Sequence, residues 1–576
     1  MAGKSLLNSL ADAVNESLTG CILTYPHLEL HASKRVVLKP TWNEPSDKVS
    51  VISGGGSGHE PFSAGFVGDG MLSASVSGSI YAAPPSGHVL HAIQSVSTNN
   101  NAGCLVIIPN YTGDCLNFGL AIEKARYLGI KVSQVIVGED CSIPDDEVGR
   151  AGKRALPGII LVLKVAGAVA QEGHNLEEVT NFAQMVADNM ASCSVGLTAC
   201  TIPGQGRMFE LPEDEIEFGQ GLHGEAGYKR IKLQSSSKTT ALMIDTIVKA
   251  LKLVKGNSVA VLVNNFGGLS QLEQGVVVKD VVTQLENMEI LPLRVYAGLV
   301  MTSLDSVGVH ITILKIPENH KTAVINALDE KTDAPRWPGC SYSLPPKYYN
   351  APAKEEKLSK ILVGPSLTTE QEKLLKICLE KACREIIERE KIINDLDRGC
   401  GDGDCGTTLK HLGEGILSTI DKLPLSYPSS LLSELANIAE DHMGGTSGAI
   451  YSLMFTAAAV EMSKINNAEN WLKVWAQVWR AGINGIMKYS KAKLGDKTMI
   501  DVLEPSLNEL DKNLSLSYKE AARKVAICAE QRSEATKHMV PRAGRASYVK
   551  QAEYLKGIDA GAFAVATWIN AISEAL

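Results

Sequence analysis

Two patterns of hydrophobic spacing divide the chain. From Val49 to Ile316, short β-branched apolar runs alternate with segments of helical period. The runs are Val49–Ile52, Cys104–Ile108, Lys131–Val137, Gly158–Val162 and Ser258–Val263. They are apolar at nearly every position rather than at every second one. That predicts strands buried on both faces, and their alternation with helices predicts an α/β unit with largely parallel sheets. Beyond Ser366 the period changes. Glu370–Asn394 places Leu374, Leu375, Cys378, Leu379, Ala382 and Ile386 at helical spacing. Leu431–His442, Ala449–Lys464, Trp471–Tyr489, Tyr518–Ala535 and Ala560–Leu576 repeat the pattern, so residues 366–576 read as an all-α bundle or barrel. Pro335, Pro338, Pro345, Pro346 and Pro352 interrupt both patterns. They predict a Pro-rich linker over residues 336–365 that follows a first domain of residues 1–335.

In an open α/β sheet, ligands sit beyond the strand C-termini. Three such ends carry polar, Gly-bearing loops: Ser53–Glu60 with Gly56, Ser57, Gly58 and His59, then Asn110–Asp114, then Asn264–Gly268. The first lacks the Lys of a phosphate-binding P-loop, and no acidic residue follows at dinucleotide-binding distance. His59 is its informative member, able to act as acid or base near neutral pH. Asp114 taken alone reads as the cap of a helix that starts near Leu116. His223 lies in Gly219–Glu225, a polar loop away from any apolar face, which favours a functional role over a packed one.

The helical part has its own chemistry-bearing loops. Asp397, Asp402 and Asp404 fall within eight residues, among Gly401, Gly403 and Gly406. Carboxylates this close repel unless a cation lies among them, and hard oxygen ligands at such turns suit Mg²⁺. Met443–Gly448 precedes the helix at Ala449, where amides and the Thr446 and Ser447 hydroxyls suit a phosphate. Gly495–Met499 and Arg542–Ser547 are two further polar loops. Four such loops suit a polyanionic ligand at one end of the bundle.

Composition narrows the class. With 45% hydrophobic and 21% charged residues the chain is an ordinary globular one. Its net charge of −8 and 5% aromatic content argue against a nucleic-acid partner. The most apolar stretch, Pro157–Ala170, is too short for a membrane span and carries Lys164. The 12 cysteines form no framework, and the N-terminus lacks the order of a signal peptide, which together place the chain in the cytosol as reduced thiols. Cys400 and Cys405 are followed by no second pair at zinc-like spacing, which disfavours zinc.

Ser53–Pro61, Asn110–Asp114, Gly221–Ala226 and Gly401–Thr408 together resemble the ATP-dependent dihydroxyacetone kinase family. The order and fusion of the parts are similar to the animal triokinase/FMN cyclases, and the likeness runs from about residue 5 to 575. It implies an N-terminal K domain that binds the ketone and a C-terminal helical-barrel L domain that binds Mg–ATP. Relatives that use phosphoenolpyruvate split these domains onto separate subunits, so fusion favours ATP. By that resemblance His223 holds dihydroxyacetone or glyceraldehyde as a hemiaminal. Asp114 and His59 serve in acid–base work and, with Gly56, Ser57, Gly58 and position 109, line the substrate. Asp397, Asp402 and Asp404 bind metal. Gly401, Asp402, Gly403, Asp404, Thr446, Ser447, Ser490, Thr498, Met499, Asp559, Ala560 and Gly561 contact nucleotide. The resemblance further implies a homodimer, and a second activity that splits FAD to AMP and a cyclic flavin phosphate with Mn²⁺ or Co²⁺. Three departures stand out: Pro109 replaces a substrate-touching Lys, Ser490 a Gly, and Lys497 an Arg. The alternatives are an enzyme with the C-terminal lyase chemistry only, or a non-enzymatic regulatory binding protein.

Overall fold

The computed structural model describes residues 4–339, 364–398, 401–548 and 556–576. The chain divides into two compact units, Met1–Pro352 and Ala353–Leu576. Of the expected linker, residues 340–363 lie outside the described residues. Arg336 and Trp337 are part of the first unit. The Arg336 amide donates to the Gly65 carbonyl (3.0 Å), and the Trp337 ring packs 4.7 Å from that of Tyr296.

The first unit contains two six-stranded sheets. One comprises β1 (Glu29–His31), β2 (Val36–Leu38), β3 (Ser50–Ser57), β4 (Ala74–Ile80), β5 (Cys104–Pro109) and β6 (Val132–Val137), in the order β1-β2-β4-β3-β5-β6. The four strands β4, β3, β5 and β6 are parallel, and β1 and β2 complete the edge antiparallel. Alternate residues serve opposite faces. Ile52, Val106 and Ile108 pack under α2 (Ser86–Ser97) and α3 (Thr112–Tyr127). Val51, Leu105 and Ile107 join the core with α1 (Ala13–Thr24), α4 (Ile159–Gln171), α5 (Leu176–Asp188) and α8 (Lys321–Asp329). Both faces are therefore covered, as the continuous apolar runs predict.

The glycine run after Ile52 is strand rather than loop. A Cβ at Gly54 would stand 2.2 Å from the Val76 carbonyl oxygen of β4, so glycine is what lets the two strands pair. The run Gly158–Val162, expected as a strand, lies in α4. Every residue of α4 from Ile159 to Ala170 is buried, and a helix buried all round carries no amphipathic period to tell it from a strand. Lys164 on α4 is fully buried too, its ammonium donating to the Ala327 carbonyl (2.7 Å).

The second sheet corrects the parallel expectation. β7 (Met190–Gly196), β10 (Glu215–Phe218), β11 (Lys229–Lys232), β12 (Ser258–Asn265), β13 (Leu291–Gly298) and β14 (Gly308–Lys315) lie in the order β11-β10-β7-β14-β12-β13. Only β12 and β13 are parallel; the remaining pairs are antiparallel. A small ribbon, β8 (Thr201–Ile202) with β9 (Gly206–Arg207), stands apart. An apolar run reports burial, not strand direction. Here α6 (Ser236–Leu251) and α7 (Gln271–Asn287) bury one face through Val195, Val261 and Ile311. The other face carries buried polar groups, Ser192, Ser194, Asn264, His310 and Thr312.

The second unit is all helix among its described residues: α9 (Thr369–Glu388), α10 (Glu390–Asp397), α11 (Cys405–Thr419), α12 (Pro428–His442), α13 (Gly445–Ser463), α14 (Trp471–Tyr489), α15 (Ile500–Lys512), α16 (Tyr518–Ala535) and α17 (Ala560–Ala575). Each of α9, α11, α12, α13, α14, α15 and α16 packs on the next, and α17 closes the ring on α9. The helix expected over Glu370–Asn394 breaks at Arg389. This frees α10 to pack on α11 and α17, where the Asn394 side chain accepts from the Gly406 (2.7 Å) and Thr407 (3.1 Å) amides and caps α11. Among the described residues, no helix is long and apolar enough to cross a membrane.

Candidate active site

Two constellations emerge, one in each unit. In the first unit, the turn after β3 brings in His59, 5% exposed. Its Nδ1 lies 2.9 Å from the Thr302 carbonyl, which can only accept, so Nδ1 carries the proton and Nε2 keeps its lone pair. The Thr302–Leu304 segment from the second sheet clamps this turn. The Thr302 amide donates to the His59 carbonyl (3.1 Å) and the Leu304 amide to that of Gly58 (3.0 Å). The Ser57 hydroxyl donates to the Gly78 carbonyl (2.8 Å), and the Gly58 amide to the Glu60 carboxylate (3.0 Å).

His223 arrives from the second sheet, on a loop held where the Ser194 hydroxyl donates to the Gln220 carbonyl (2.7 Å). Its ring is enclosed by three others: His59 at 5.0 Å, Tyr81 at 5.1 Å and Tyr111 at 4.8 Å between centroids. The sequence placed it away from packed neighbours; the structure corrects this, because the partners come from three distant segments. Burial holds His223 below the usual histidine range, with Glu225 opposing and Arg154 reinforcing the shift. Burial and the neighbouring His223 push His59 down to about 3. Both rings are therefore neutral near pH 7.

Asp114 does not cap α3. The helix begins at Thr112 with Tyr111 as its cap residue, and Asp114 sits inside the first turn. It is 6% exposed, and its Oδ1 is buried without a hydrogen-bond partner. Burial lifts its carboxyl to about 7, against a small opposing pull from its own amide. A Cβ at Gly55 would lie 3.8 Å from both Asp114 Oδ1 and the Pro109 ring, so Gly55, Pro109 and Asp114 share one corner.

In the second unit, alternate connections of the helical ring carry the predicted residues. Carboxylate oxygens of Asp397, Asp402 and Asp404 all lie within 4.8 Å of one another. Three hard, like-charged donors at that separation fit a divalent cation such as Mg²⁺. Asp397 ends α10 and accepts from the Gly403 amide (2.9 Å); Asp404 precedes α11. Asp559 caps α17 by accepting from the Ala562 amide (2.8 Å). Burial lifts Asp559 to about 6, with Lys497 lowering it and Asp501 and Asp397 raising it, so these groups face one another. Ser447 bonds the Cys405 thiol, and Thr446 is exposed in the first turn of α13, which starts at Gly445 rather than Ala449. Gly561 lies against Met499. The Thr498 amide donates to buried Asp501 (2.8 Å). Ser490 turns to its own chain, its hydroxyl accepting from the Ala492 amide (3.1 Å).

Residues 19–336 match the model of the Dak1 domain, and residues 399–574 that of the DAK2 domain. The chain belongs to the dihydroxyacetone kinase family. The "Triokinase/FMN cyclase" of Bos taurus is 38% identical over 589 residues, covering 100% of this chain and 99% of its own. The dihydroxyacetone kinase from C. freundii in complex with AMP-PNP and Mg²⁺ superposes with a TM-score of 0.66, at 31% identity and full coverage of both chains. A dihydroxyacetone kinase operon co-activator, Dha-DhaQ, matches with a TM-score of 0.52 and 32% identity over 56% of this chain and 98% of its own.

Within this dihydroxyacetone kinase family fold, sequence reasoning missed Tyr81 and Arg154. Tyr81 follows β4, a strand end that could have been searched like the others. Its hydroxyl donates to the Cys200 sulfur (3.4 Å) and lies 3.4 Å from the Ser303 hydroxyl, tying the two sheets together at the site. Arg154 sits in an irregular segment before α4, and no local pattern marks it.

Proposed function

We propose that the chain phosphorylates dihydroxyacetone and glyceraldehyde from Mg–ATP through a His223 hemiaminal, and that its helical unit also splits FAD to AMP and riboflavin cyclic 4′,5′-phosphate. The observation that carries this reading is the enclosed, neutral His223 beside a neutral His59. A neutral imidazole nitrogen adds to the substrate carbonyl carbon; the carbonyl oxygen gains a proton, the ring loses one, and no water leaves. A covalent carbonyl trap accepts trioses and rejects glycerol, which a hydrogen-bonding pocket separates poorly. Asp114, its carboxyl poised near neutrality, takes the proton of the hydroxyl that attacks phosphorus. The His59 Nε2 lone pair accepts from a substrate hydroxyl.

Asp397, Asp402 and Asp404 would hold the divalent ion, Mg²⁺ for the kinase and Mn²⁺ or Co²⁺ for FAD cleavage. When bound, that ion neutralises charge on the phosphate chain. Gly401, Gly403, Thr446, Ser447, Ser490, Thr498, Met499, Asp559, Ala560 and Gly561 border the nucleotide. FAD needs no carbonyl trap: a ribityl hydroxyl displaces AMP at the flavin-side phosphorus. The enzyme works in the cytosol as a homodimer. Mixing inactive His223→Ala and Asp402→Ala chains under exchange conditions restores kinase activity if subunits share sites.

Intact-mass measurement of the protein with dihydroxyacetone, trapped at neutral pH, tests the central step. The expected product is a gain of one whole triose, absent in His223→Ala. No gain in an active kinase overturns the hemiaminal. The second reading, a regulator without catalysis, fits the Dha-DhaQ likeness over 56% of this chain; the carboxylate cluster of the second unit favours the enzyme.

A further inference from the structure

The loop that carries His223 is tied by a single guanidinium. Arg154 Nη2 donates to the Gly219 carbonyl (2.7 Å), at the loop's start, and Nη1 donates to Glu225 (3.0 Å), at its end. The remaining face of the guanidinium is anchored: Nε and Nη2 donate to one Asp140 oxygen (2.8 and 2.6 Å). The other Asp140 oxygen accepts from the Ser142 amide (2.9 Å), and the Cys141 amide donates to the Ser192 carbonyl of β7 (2.8 Å). Asp140 is buried, with 2% of its side chain exposed. The chain of contacts therefore runs from the second sheet through Asp140 and Arg154 to both ends of the loop.

Glu225, its side chain 37% exposed, lies with its carboxylate against that loop. A Cβ at Gly221 would lie 1.7 Å from Glu225 Oε1, so only glycine leaves room for the carboxylate. Glu225 Oε2 is buried without a hydrogen-bond partner among the described residues. The Glu225 charge favours the protonated form of His223, which cannot attack a carbonyl. The groups that face His223 are His59, Tyr81, Tyr111, Cys200, Glu225 and Arg154. Of these, Arg154 is the sole cation and Glu225 the sole carboxylate.

We propose that Arg154 is a positioning residue for the ketone chemistry: it holds Gly219 and Glu225 together, and so sets the pose of His223 and cancels the carboxylate charge beside it. The inference rests on the reading of His223 as the carbonyl nucleophile. Arg154 touches no substrate and acts through the loop. Lysine cannot replace it, because one ammonium cannot span Asp140, Gly219 and Glu225 in a planar fork.

The test reads His223 directly, by NMR titration of full-length protein with ¹³C-labelled histidine, its signal assigned by its loss in His223→Gln. Arg154→Met is expected to raise the His223 midpoint by about one pH unit, the scale of one nearby uncompensated charge. Arg154→Met/Glu225→Gln is expected to return it, and Arg154→Lys to restore it only in part. Wild-type amide chemical shifts away from the His223 loop show that the first unit of each variant is folded. Should Arg154→Met fail to fold, Glu225→Gln alone serves, with an expected lowering of the midpoint. A midpoint unmoved in Arg154→Met, or not returned by the double variant, or unmoved in Glu225→Gln, overturns the proposal. Triose adduct by intact mass is followed in parallel. Wild-type adduct with unmoved midpoints defeats the role of Arg154 alone, whereas moved midpoints without wild-type adduct defeat the hemiaminal alone.

Discussion

The ketone constellation and the carboxylate cluster solve opposite problems. In the first unit, His59 and Asp114 are almost fully buried, and burial is the largest influence on the protonation of His59, Asp114 and His223. The site keeps its groups neutral or nearly so before a substrate arrives. In the second unit, Asp402 and Asp404 are exposed at helix ends, and three carboxylates converge within 4.8 Å. There a bound divalent ion would offset the gathered charge. The proposed covalent capture of an uncharged triose would need the first kind of site, and a phosphate chain the second. One chain holds both because they stand in separate units.

The sharpest way to break this contrast is His223→Ala. Triose phosphorylation should fall by at least about 10⁴-fold, as when a nucleophile is removed, while FAD cleavage on the same preparation stays within about twofold. Parallel loss in a folded protein would mean the first unit takes part in flavin chemistry. Next in size, Asp402→Ala should lower both activities by at least about 10²-fold, the scale of one strong electrostatic stabiliser. Near wild-type turnover at saturating Mg–ATP would remove Asp402 from the metal site.

A gentler probe is pH. In its proposed role as base Asp114 works only when ionised, and its carboxyl is lifted to about 7. Kinase kcat/KM should therefore rise as pH increases through about 7, while FAD cleavage shows no such limb. Asp114→Asn should abolish the limb together with the kinase. The smallest effect is expected from Pro109→Lys. A cation in the corner shared with Asp114 favours the carboxylate, so the acid limb should move below 7, with triose KM lowered about threefold and FAD cleavage unchanged. An unmoved limb would show that position 109 does not face Asp114.

Much of this architecture was readable in the residues. The change near Ser366 marks the passage from α/β to all-α, because short continuous apolar runs give way to a sustained period of 3.6, which follows from helix geometry. The Asp397–Asp404 cluster was readable because its members are close in sequence and repel without a cation. Less was readable where burial erased the pattern. The Gly158–Val162 run in α4 reads like a strand, and the second sheet's apolar strands read as parallel. The first is buried on all sides, which removes the polar positions that carry the period, and the apolar runs of the second report burial but not strand direction. The Asn110–Asp114 segment misled locally too: Asp114 has the residue type of a cap and yet lies within the first turn.

What the sequence by itself determined is therefore local: element type where one face stays wet, the three-carboxylate loop, the glycine-bearing strand ends, His59 at one of those ends and His223 in a polar, glycine-bearing loop. The tertiary structure alone decided who surrounds them. Tyr81, Tyr111 and His59 meet His223 from three segments, Arg154 reaches Gly219 and Glu225 from before α4, and Asp559 comes to face Asp397 from the far end of the helical unit. Protonation follows from those surroundings, because burial, which only the fold supplies, is the largest influence on each of these groups.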